Sequence, residues 1–506
     1  MIQSPGFAFN KSTQLIIAIL IGLLLGVGFL VVLPPYGMIA ILVVILLAII
    51  IAKQPALGIL GILAINATII EQKNLPLFNL GPLRISIAEI LLFFLLGLIV
   101  FRWLTERDYK FVRTPLGPAI FSFLGVSALA SVAALLRNTD PDTLTDIGAI
   151  FRSPPEYISL AIPAIWTISY YAVYFAITNL IRNRKQLNLL LNGFFLLAWL
   201  TAALTIIQYI AGTSLPFLPG RVETLVTEGS TYRGVTRILP PGQSIILVVF
   251  PVLFVESTFD SVKLRNGFQY LKMTMIGFAL LITFTRGYWA AALLTLALVF
   301  INVKWKEREK YFERILIGAL VVTMILFALI LIPKSPIGDQ ILNAASERFL
   351  SMSNLSAIAE SDTLNWRILE YEYAFPKIIR YPLLGLGLGS RYRPYDIRLD
   401  SDVFDGRTYI HNGHFYIILQ SGLLGYLCLL WVLSIFIYRG INYWKLILEA
   451  KLRAVVLGFA LVNFSLMFSA IVAPIYMDRF WTPVIGFMLG VNDVIFRLAT
   501  PERLDC

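Results

Sequence analysis

Long apolar segments recur along almost the whole chain, and they constrain its fold more than any other feature. Of the 506 residues, 58% are hydrophobic and 14% are charged, whereas soluble domains carry roughly 25% charged residues. A helix needs about 20 mainly apolar residues to cross a bilayer. The sequence therefore predicts an all-α polytopic membrane protein with about 14 transmembrane helices. The predicted spans lie at about 15–33, 36–52, 56–70, 86–104, 115–136, 157–180, 187–211, 241–256, 268–285, 287–303, 314–333, 413–437, 452–473 and 477–497.

Lysine and arginine are distributed unevenly among the connecting loops. The formal net charge is +11, which in a soluble protein would suggest nucleic acid as a partner. In a membrane protein, basic residues gather in short cytoplasmic loops and fix the orientation. With about 14 spans, basic clusters such as 102–113 and 304–314 all fall on one side. Both termini are therefore predicted to be cytoplasmic, and no nucleic acid is expected as a partner.

The longest connection runs from about Lys334 to His411 on the predicted non-cytoplasmic side. Its basic and acidic residues nearly balance, so it is not a polybasic lipid-binding patch. Residues Leu364 to Ile379 repeat apolar side chains at helical spacing, which predicts an amphipathic helix on the membrane surface. Connections of this length are functional or disordered, and the helix favours function. No internal repeat is found, so residues 1–506 are expected to form a single membrane domain.

The chain contains only two histidines, His411 and His414, where the long loop enters a predicted span. A neutral imidazole can accept a hydroxyl proton near pH 7, which makes His411 a candidate general base. Two alternatives stay open from the residues alone. The pair could be a polar cap on the helix, or it could bind zinc with a third ligand from elsewhere.

Several arginines lie on the same predicted side as the histidines. Arg286 stands between two apolar runs, where a charge is costly and usually lines a polar cavity or meets a partner. It could instead snorkel to the interface. Arg233 and Arg237 precede a span and add positive charge there, unless they belong to an ordinary solvated loop. Arg367 lies at the start of the surface helix. Arginine's planar fork suits phosphate.

The glycine-rich run from Tyr381 to Ser390 superficially suggests a nucleotide-binding loop. It lacks a preceding strand and lies on the non-cytoplasmic side, so a dinucleotide fold is excluded. A tight or re-entrant loop packed against the membrane domain is predicted instead. The sequence has no Walker motif either, so no cofactor is expected, and the energy of any reaction must come with the substrate.

Three short stretches together resemble the O-antigen ligase and polymerase family of bacterial envelopes. Thr285-Arg286-Gly287 is similar to its Ser/Thr-Arg-Gly element, and Pro382-Leu-Leu-Gly-Leu-Gly-Leu-Gly389 is similar to its Pro-Leu-x-Gly-x-Gly element. His411-Asn412 begins the third. The resemblance extends over about 268–436, roughly a third of the chain.

The third stretch departs from the family pattern at one position. His411-Asn412, followed by Gln420-Ser-Gly422 and Gly425, resembles the family element His-Asn…Glu-x-Gly-x-x-Gly. Here glutamine stands where the family often has glutamate. If that carboxylate orients a group in relatives, its role is altered in this chain.

The resemblance implies that a glycan is moved from undecaprenyl diphosphate to an acceptor hydroxyl at the outer face of the bacterial inner membrane. The acceptor would be a lipid, a growing glycan or a protein, so the chain would act as a ligase or a polymerase. Anomeric inversion without metal is expected. His411 would take the acceptor proton, and the surface helix would close over the lipid-linked donor. The residues expected to bind substrate are Arg286, Arg237, Arg233, Arg367, Asn412 and His414.

Two other functions stay open. One is a membrane transporter of the inorganic-carbon type, although carriers commonly show paired repeats with broken helices near the midplane, and no paired halves are visible. The other is a non-catalytic component of a polysaccharide export assembly. Such a component would need the long loop but not His411.

Overall fold

The computed structural model describes residues 35–68, 77–80, 83–138, 156–211, 221–225, 235–240, 242–259, 267–330, 346, 362–400 and 406–499. Helices dominate this part of the chain. In order they are α1 Pro35–Lys53, α2 Pro55–Leu63, α3 Ile87–Thr105, α4 Gly117–Asn138, α5 Glu156–Ser169, α6 Val173–Leu180, α7 Arg184–Ala211, α8 Gln243–Phe259, α9 Gly267–Ile282, α10 Arg286–Asn302, α11 Trp305–Ile330, α12 Asp362–Arg380, α13 Gly413–Tyr443, α14 Ala450–Ser469 and α15 Thr482–Ala499.

Among the described residues, seven helices are long and apolar enough to cross a membrane, or up to eight if a bent pair is counted as one span. The chain is therefore a helical membrane protein. Three shorter apolar helices, α8, α9 and α10, fall below that length. The predicted number of about 14 spans stays a prediction, and the predicted span 15–33 lies outside the described residues.

The bent pair consists of α1 and α2, which turn by 112° at Gln54. Pro55 occupies the first turn of α2, where its missing N–H is tolerated, although it could not continue the preceding helix. The sequence predicted two separate spans, 36–52 and 56–70. In the structure α2 stops at Leu63 and a short π-helix follows over Ala64–Thr68.

Two short antiparallel hairpins depart from the predicted all-α fold. Strands β1 (Phe78–Leu80) and β2 (Leu83–Ile85) pair with each other, as do β3 (Arg221–Leu225) and β4 (Val235–Leu239). The second hairpin was missed although Val-Thr-Arg-Ile-Leu is rich in β-branched residues, which favour strands. It lies between the predicted spans 187–211 and 241–256, where a polar loop was predicted.

The connection between α14 and α15 is longer than the sequence predicted. The predicted spans 452–473 and 477–497 leave almost no loop between them, yet α14 ends at Ser469 and α15 begins at Thr482. Pro474, which cannot donate to the preceding turn, interrupts the apolar run. We call residues 470–481 the connector.

The connector joins the two innermost helices of the candidate spans. The apolar windows of α14 and α15 are 78% and 83% buried, against 28% to 61% for the other candidate spans. Their neighbours include α8, α10 and α13 for α14, and α6 for α15. The connector therefore lies at one end of the centre of the helical assembly, where several other segments reach it.

Candidate active site

A buried glutamate of the surface helix α12 holds His411. The His411 Nδ1 lies 2.8 Å from the Glu370 Oε1, and the His411 backbone N–H donates to the Glu370 Oε2 at 3.0 Å. The Glu370 side chain is 4% exposed, whereas that of His411 is 36% exposed. One edge of the imidazole is thus fixed inside the protein while the ring stays accessible.

Tyr409 lies against His411, and the charge of Asp478 acts on Tyr409. The ring of Tyr409 meets that of His411 edge to face, with centroids 5.0 Å apart. Burial raises the pKa of the Tyr409 phenol, and the charges of Asp478 and Glu370 raise it further. Burial also raises the pKa of the Asp478 carboxyl to about 6, although the Phe480 N–H donates to it at 2.7 Å. The tyrosine therefore remains a neutral wall of the site at physiological pH.

Asn412 caps the first turn of α13. Its Oδ1 accepts from the backbone N–H groups of His414 at 3.0 Å and Phe415 at 3.1 Å, which is the usual work of an N-cap residue. Its Nδ2 donates to the Tyr371 hydroxyl at 3.2 Å, which ties the cap to α12. The structure thus gives Asn412 a positioning role, and a contact with substrate stays a prediction.

His414 is engaged on both ring nitrogens. Its Nε2 lies 2.9 Å from the Met467 carbonyl, and the Tyr426 hydroxyl lies 3.1 Å from its Nδ1. A carbonyl can only accept, so Nε2 carries the proton and Tyr426 donates to Nδ1. His414 thereby links α13 to α14. Its role in substrate binding stays a prediction. In the described part of the chain, no group of three His, Cys, Asp or Glu side chains is placed to hold a metal ion.

Arg367 reaches from α12 to the connector. It lies one helical turn before Glu370, so both side chains leave the same face of α12. Its Nη2 approaches the Val472 carbonyl at 3.4 Å. Its Nε is buried, and no acceptor lies within hydrogen-bonding distance of that atom among the described residues. An arginine with an unmet buried donor is suited to an anionic ligand.

Arg286 is the first residue of α10, and this helix start lies against the same part of the connector. The Ser469 hydroxyl donates to the Gly287 carbonyl at 3.4 Å. A Cβ placed on Gly287 would lie 3.9 Å from the Val472 Cγ2. Phe284, two residues earlier, has φ of 47°, a conformation uncommon outside glycine. The sharp turn between α9 and α10 thus places Arg286 at the N-terminus of α10. The helix dipole makes this end of the helix favourable for anions.

The three segments meet at Ala470 to Val472 of the connector. The Gly413 N–H, two residues after His411, donates to the Ala470 carbonyl at 2.7 Å. Arg367 and the start of α10 reach Val472. The structure therefore brings His411 and Arg367 together with the segment that carries Arg286. The sequence did not indicate that the connector would be the meeting point.

Arg237 lies in β4, opposite Glu223 in the hairpin register. Strand β4 contacts α7, and Tyr209 near the end of α7 lies 6.3 Å from the Phe284 ring. The hairpin and the turn before Arg286 therefore both contact α7. Arg233 lies outside the described residues.

An ion-pair network anchors the other half of the connector. Arg479 pairs with the buried carboxylate of Glu89 and donates to the Ser86 hydroxyl at 3.2 Å. The Tyr170 hydroxyl donates to the same carboxylate at 2.7 Å. Buried charges are stable only when they are paired and hydrogen-bonded. This network therefore fixes the connector to α3 and to the turn after α5.

The glycine-rich loop packs against a break in α13, as the predicted tight loop requires. Helical geometry fails at Gly422, where φ is 70°. The carbonyls freed by the break accept from the loop: Leu386 N–H donates to the Leu419 oxygen at 2.8 Å, and Gly387 N–H donates to the Gln420 oxygen at 2.9 Å. Two of the family-like elements, the glycine run and Gln-Ser-Gly, thus form one backbone-bonded unit.

Gln420, the residue that departs from the family pattern, is fully buried in this unit. Its Nε2 donates to the Ser390 carbonyl at 3.2 Å, and its Oε1 has no partner among the described residues. An amide can make this donation and an ionised carboxylate cannot. The glutamine therefore holds the end of the glycine loop.

Replacing Gln420 with glutamate should destabilise the protein, because a buried carboxylate would face the Ser390 carbonyl. The loss of the donor and the burial of a charge are each worth about 1–3 kcal/mol or more. Thermal unfolding in detergent would measure the change. Gln420→Met, which removes both polar atoms, should cost less; a Gln420→Glu protein as stable as the wild type would contradict this account.

Comparison with known protein families fits this geometry. Residues 272–430 match the family model described as O-antigen ligase. The matched stretch contains Arg286, Arg367 and His411, together with the glycine loop. The resemblance drawn from the motifs is thereby confirmed over residues 272–430, which are similar to an O-antigen ligase domain within a helical membrane protein. This domain indicates a role in polysaccharide biosynthesis by glycosyl transfer. No match was found among curated proteins.

Proposed function

We propose that the protein transfers a glycan from undecaprenyl diphosphate to an acceptor hydroxyl at the outer face of the bacterial inner membrane. The observation that carries the proposal is the meeting at Val472 of Arg367 and the start of α10, beside the segment that bears His411. A histidine and arginines are the groups that this transfer needs, because the acceptor must lose a proton and the donor must release a diphosphate.

The reaction breaks one bond and forms one bond. The acceptor oxygen attacks the anomeric carbon of the donor glycan, and the bond from that carbon to the diphosphate oxygen breaks. His411 takes the acceptor proton on its exposed edge, which is the function of a general base. Attack opposite the leaving group inverts the anomeric centre. The diphosphate ester supplies the driving force, so the proposal includes neither nucleotide nor metal.

The arginines act on the leaving group. Negative charge accumulates on the diphosphate as the bond breaks, and preorganised donors stabilise it in a site of low dielectric constant. Arg367 offers its buried Nε, which has no partner in the described part of the chain. Arg286 adds a guanidinium at the N-terminus of α10, where the helix dipole also favours an anion. Arg237 and Arg233 are proposed as further cations from the hairpin side.

Arg286 can be tested by conservative replacement. Arg286→Lys keeps the charge and loses the planar fork. It should therefore weaken binding of the lipid-diphosphate donor and raise the KM for that donor by about tenfold. Arg286→Ala should lower kcat/KM by about 100-fold or more. Steady-state transfer by the purified protein measures both. Arg84→Lys, an exposed arginine of β2, is the matched control; wild-type donor binding by Arg286→Lys would contradict bidentate recognition.

The carrier alternative is weakened by the contacts at the break in α13. Carriers use unwound backbone to coordinate ions or substrate. Here the freed carbonyls of Leu419 and Gln420 already accept from the glycine loop. The backbone at the break is therefore bonded to the glycine loop. This favours a rigid support for the site and not a coordination site for a transported ion.

Proteoliposomes separate the three candidate functions. Purified protein that joins the glycan of a lipid-linked donor to an acceptor, and does not move labelled bicarbonate across the membrane, would support transfer. Bicarbonate uptake without glycan transfer would contradict it. A non-catalytic assembly component would be indicated if a His411→Ala gene restored surface polysaccharide in a deletion strain. In the deletion strain without any added gene, accumulation of unattached long glycan chains would indicate that the protein is a ligase. Accumulation of single repeat units would indicate a polymerase.

A further inference from the structure

We propose that Glu370 is a positioning residue that holds His411 with its proton on Nδ1 and its lone pair on Nε2. The catalytic part of this inference rests on the function proposed above, whereas the tautomer does not. Glu370 is not part of the motif set that indicated the family. It reaches His411 from a helix of the long loop, 41 residues earlier in the chain.

Both carboxylate oxygens of Glu370 face His411. One accepts from the His411 backbone N–H at 3.0 Å, and the other lies 2.8 Å from Nδ1. An ionised carboxylate can only accept, so the short contact at Nδ1 requires a proton on that nitrogen. A neutral imidazole carries one ring proton, and the hydrogen bond at one nitrogen decides the state of the other. The Nε2 of His411 is then the basic nitrogen.

The second histidine is held in the opposite tautomer. His414 donates from Nε2 to the Met467 carbonyl and accepts at Nδ1 from the Tyr426 hydroxyl. The two histidines of the chain therefore differ in the nitrogen that carries the proton. Of the two, His411 is the one whose basic nitrogen is not hydrogen-bonded to any described residue, and its side chain is 36% exposed.

The same contact also supports proton transfer. When Nε2 takes the acceptor proton, the ring becomes an imidazolium, and the buried carboxylate beside Nδ1 offsets that charge. Glu370 would act as the acidic residue does in the serine-protease triad, by orienting the imidazole and offsetting its charge. Because Glu370 belongs to α12, docking of the long-loop helix and orientation of the base are one event. Arg367 on the same helix face brings a cation with it.

The two tautomers can be observed directly, because the chain has only two histidines. Protein labelled with ¹⁵N-histidine and purified without a histidine tag should show, at pH 8, one Nδ1–H and one Nε2–H imidazole. The His411→Asn variant assigns the signals by removing the Nδ1–H one. Two Nε2–H histidines in the wild type would overturn the inference, whether or not the protein transfers glycan.

Glu370→Gln tests the consequence for function. The Gln side chain can donate to Nδ1, which moves the ring proton to Nε2 and removes the base. We expect the His411 signal to change tautomer, the His414 signal to stay, and kcat to fall about 100-fold or more with little change in donor KM. Glu372→Gln, the same change at an exposed position of α12, should leave both signals and kcat unchanged.

The remaining outcomes are also decisive. A Glu370→Gln protein that changes tautomer and keeps its kcat would overturn the positioning role. A purely structural role would lower thermal stability and leave the His411 tautomer as it was, which also overturns it. If Glu370→Gln does not fold, the wild-type spectrum and the Glu370→Asp variant decide. If the wild type shows the two tautomers but does not transfer glycan, the proposed function would be contradicted. The Glu370–His411 arrangement would still be supported.

Discussion

Replacing His411 with alanine should lower the rate of glycan transfer by about 10²–10⁴-fold, the usual contribution of a general base. The imidazole is fixed by Glu370 on one side and accessible on the other, which is the arrangement a base requires. Transfer from a lipid-linked donor by purified protein measures the effect. It should appear in kcat, because the proposed mechanism assigns donor binding to the arginines and the acceptor proton to the histidine.

A second variant separates loss of the base from loss of folding. His411→Ala leaves the buried Glu370 carboxylate without its side-chain partner, which costs stability as well. Asparagine can place an N–H near the position of Nδ1, so His411→Asn keeps a donor for Glu370 and has no basic nitrogen. Near-wild-type transfer by a folded His411→Asn protein would remove His411 from the mechanism.

Replacing Gly422 with alanine should prevent normal folding of the site. A Cβ at this position would lie 2.0 Å from the Leu383 backbone oxygen, and the residue has φ of 70°. Neither the backbone carbonyl nor the break in α13 can move without disturbing the glycine loop. The strain and the clash together should cost at least about 3 kcal/mol. Thermal unfolding and size-exclusion profiles in detergent measure this.

Two other glycines provide matched controls. Gly97 in α3 and Gly125 in α4 would place a Cβ with nothing within 4 Å. Alanine in these helical positions should be neutral or slightly stabilising, because it lowers the entropy of the unfolded chain. A Gly422→Ala protein as stable as Gly97→Ala would show that the loop and the break in α13 are not locked together as described.

The sequence predicted the class of fold because burial in lipid leaves a strong pattern. Apolar segments of about 20 residues identify membrane helices, and the greater part of each predicted segment within the described residues is helical. The pattern failed where apolar residues are not helical. The connector carries Ile475, Tyr476 and Met477 in a short turn, so parts of it were predicted to belong to spans. Hairpin β3–β4 lies where a polar loop was predicted.

The candidate site was predicted only in part. A sequence shows which residue types are present, but it does not show which distant residues lie close together in the fold. His411 and Arg286 stood out as rare or costly residues at membrane boundaries. Glu370 gave no such signal, since acidic residues are ordinary on a surface helix and its partner is far away in the chain. Arg367 and Glu370 share a helix face, but only the fold shows that Arg367 reaches the connector and that Glu370 reaches His411.

The most direct measurement follows both products of the reaction in purified protein. A labelled undecaprenyl-diphosphate-linked glycan is supplied with an acceptor, without nucleotide, to the wild type and to His411→Asn. We expect one undecaprenyl diphosphate to be released for each glycan joined to the acceptor, and at least about 100-fold slower release by the variant. Recovery of the intact donor, or equal rates for the two proteins, would contradict transfer at this site.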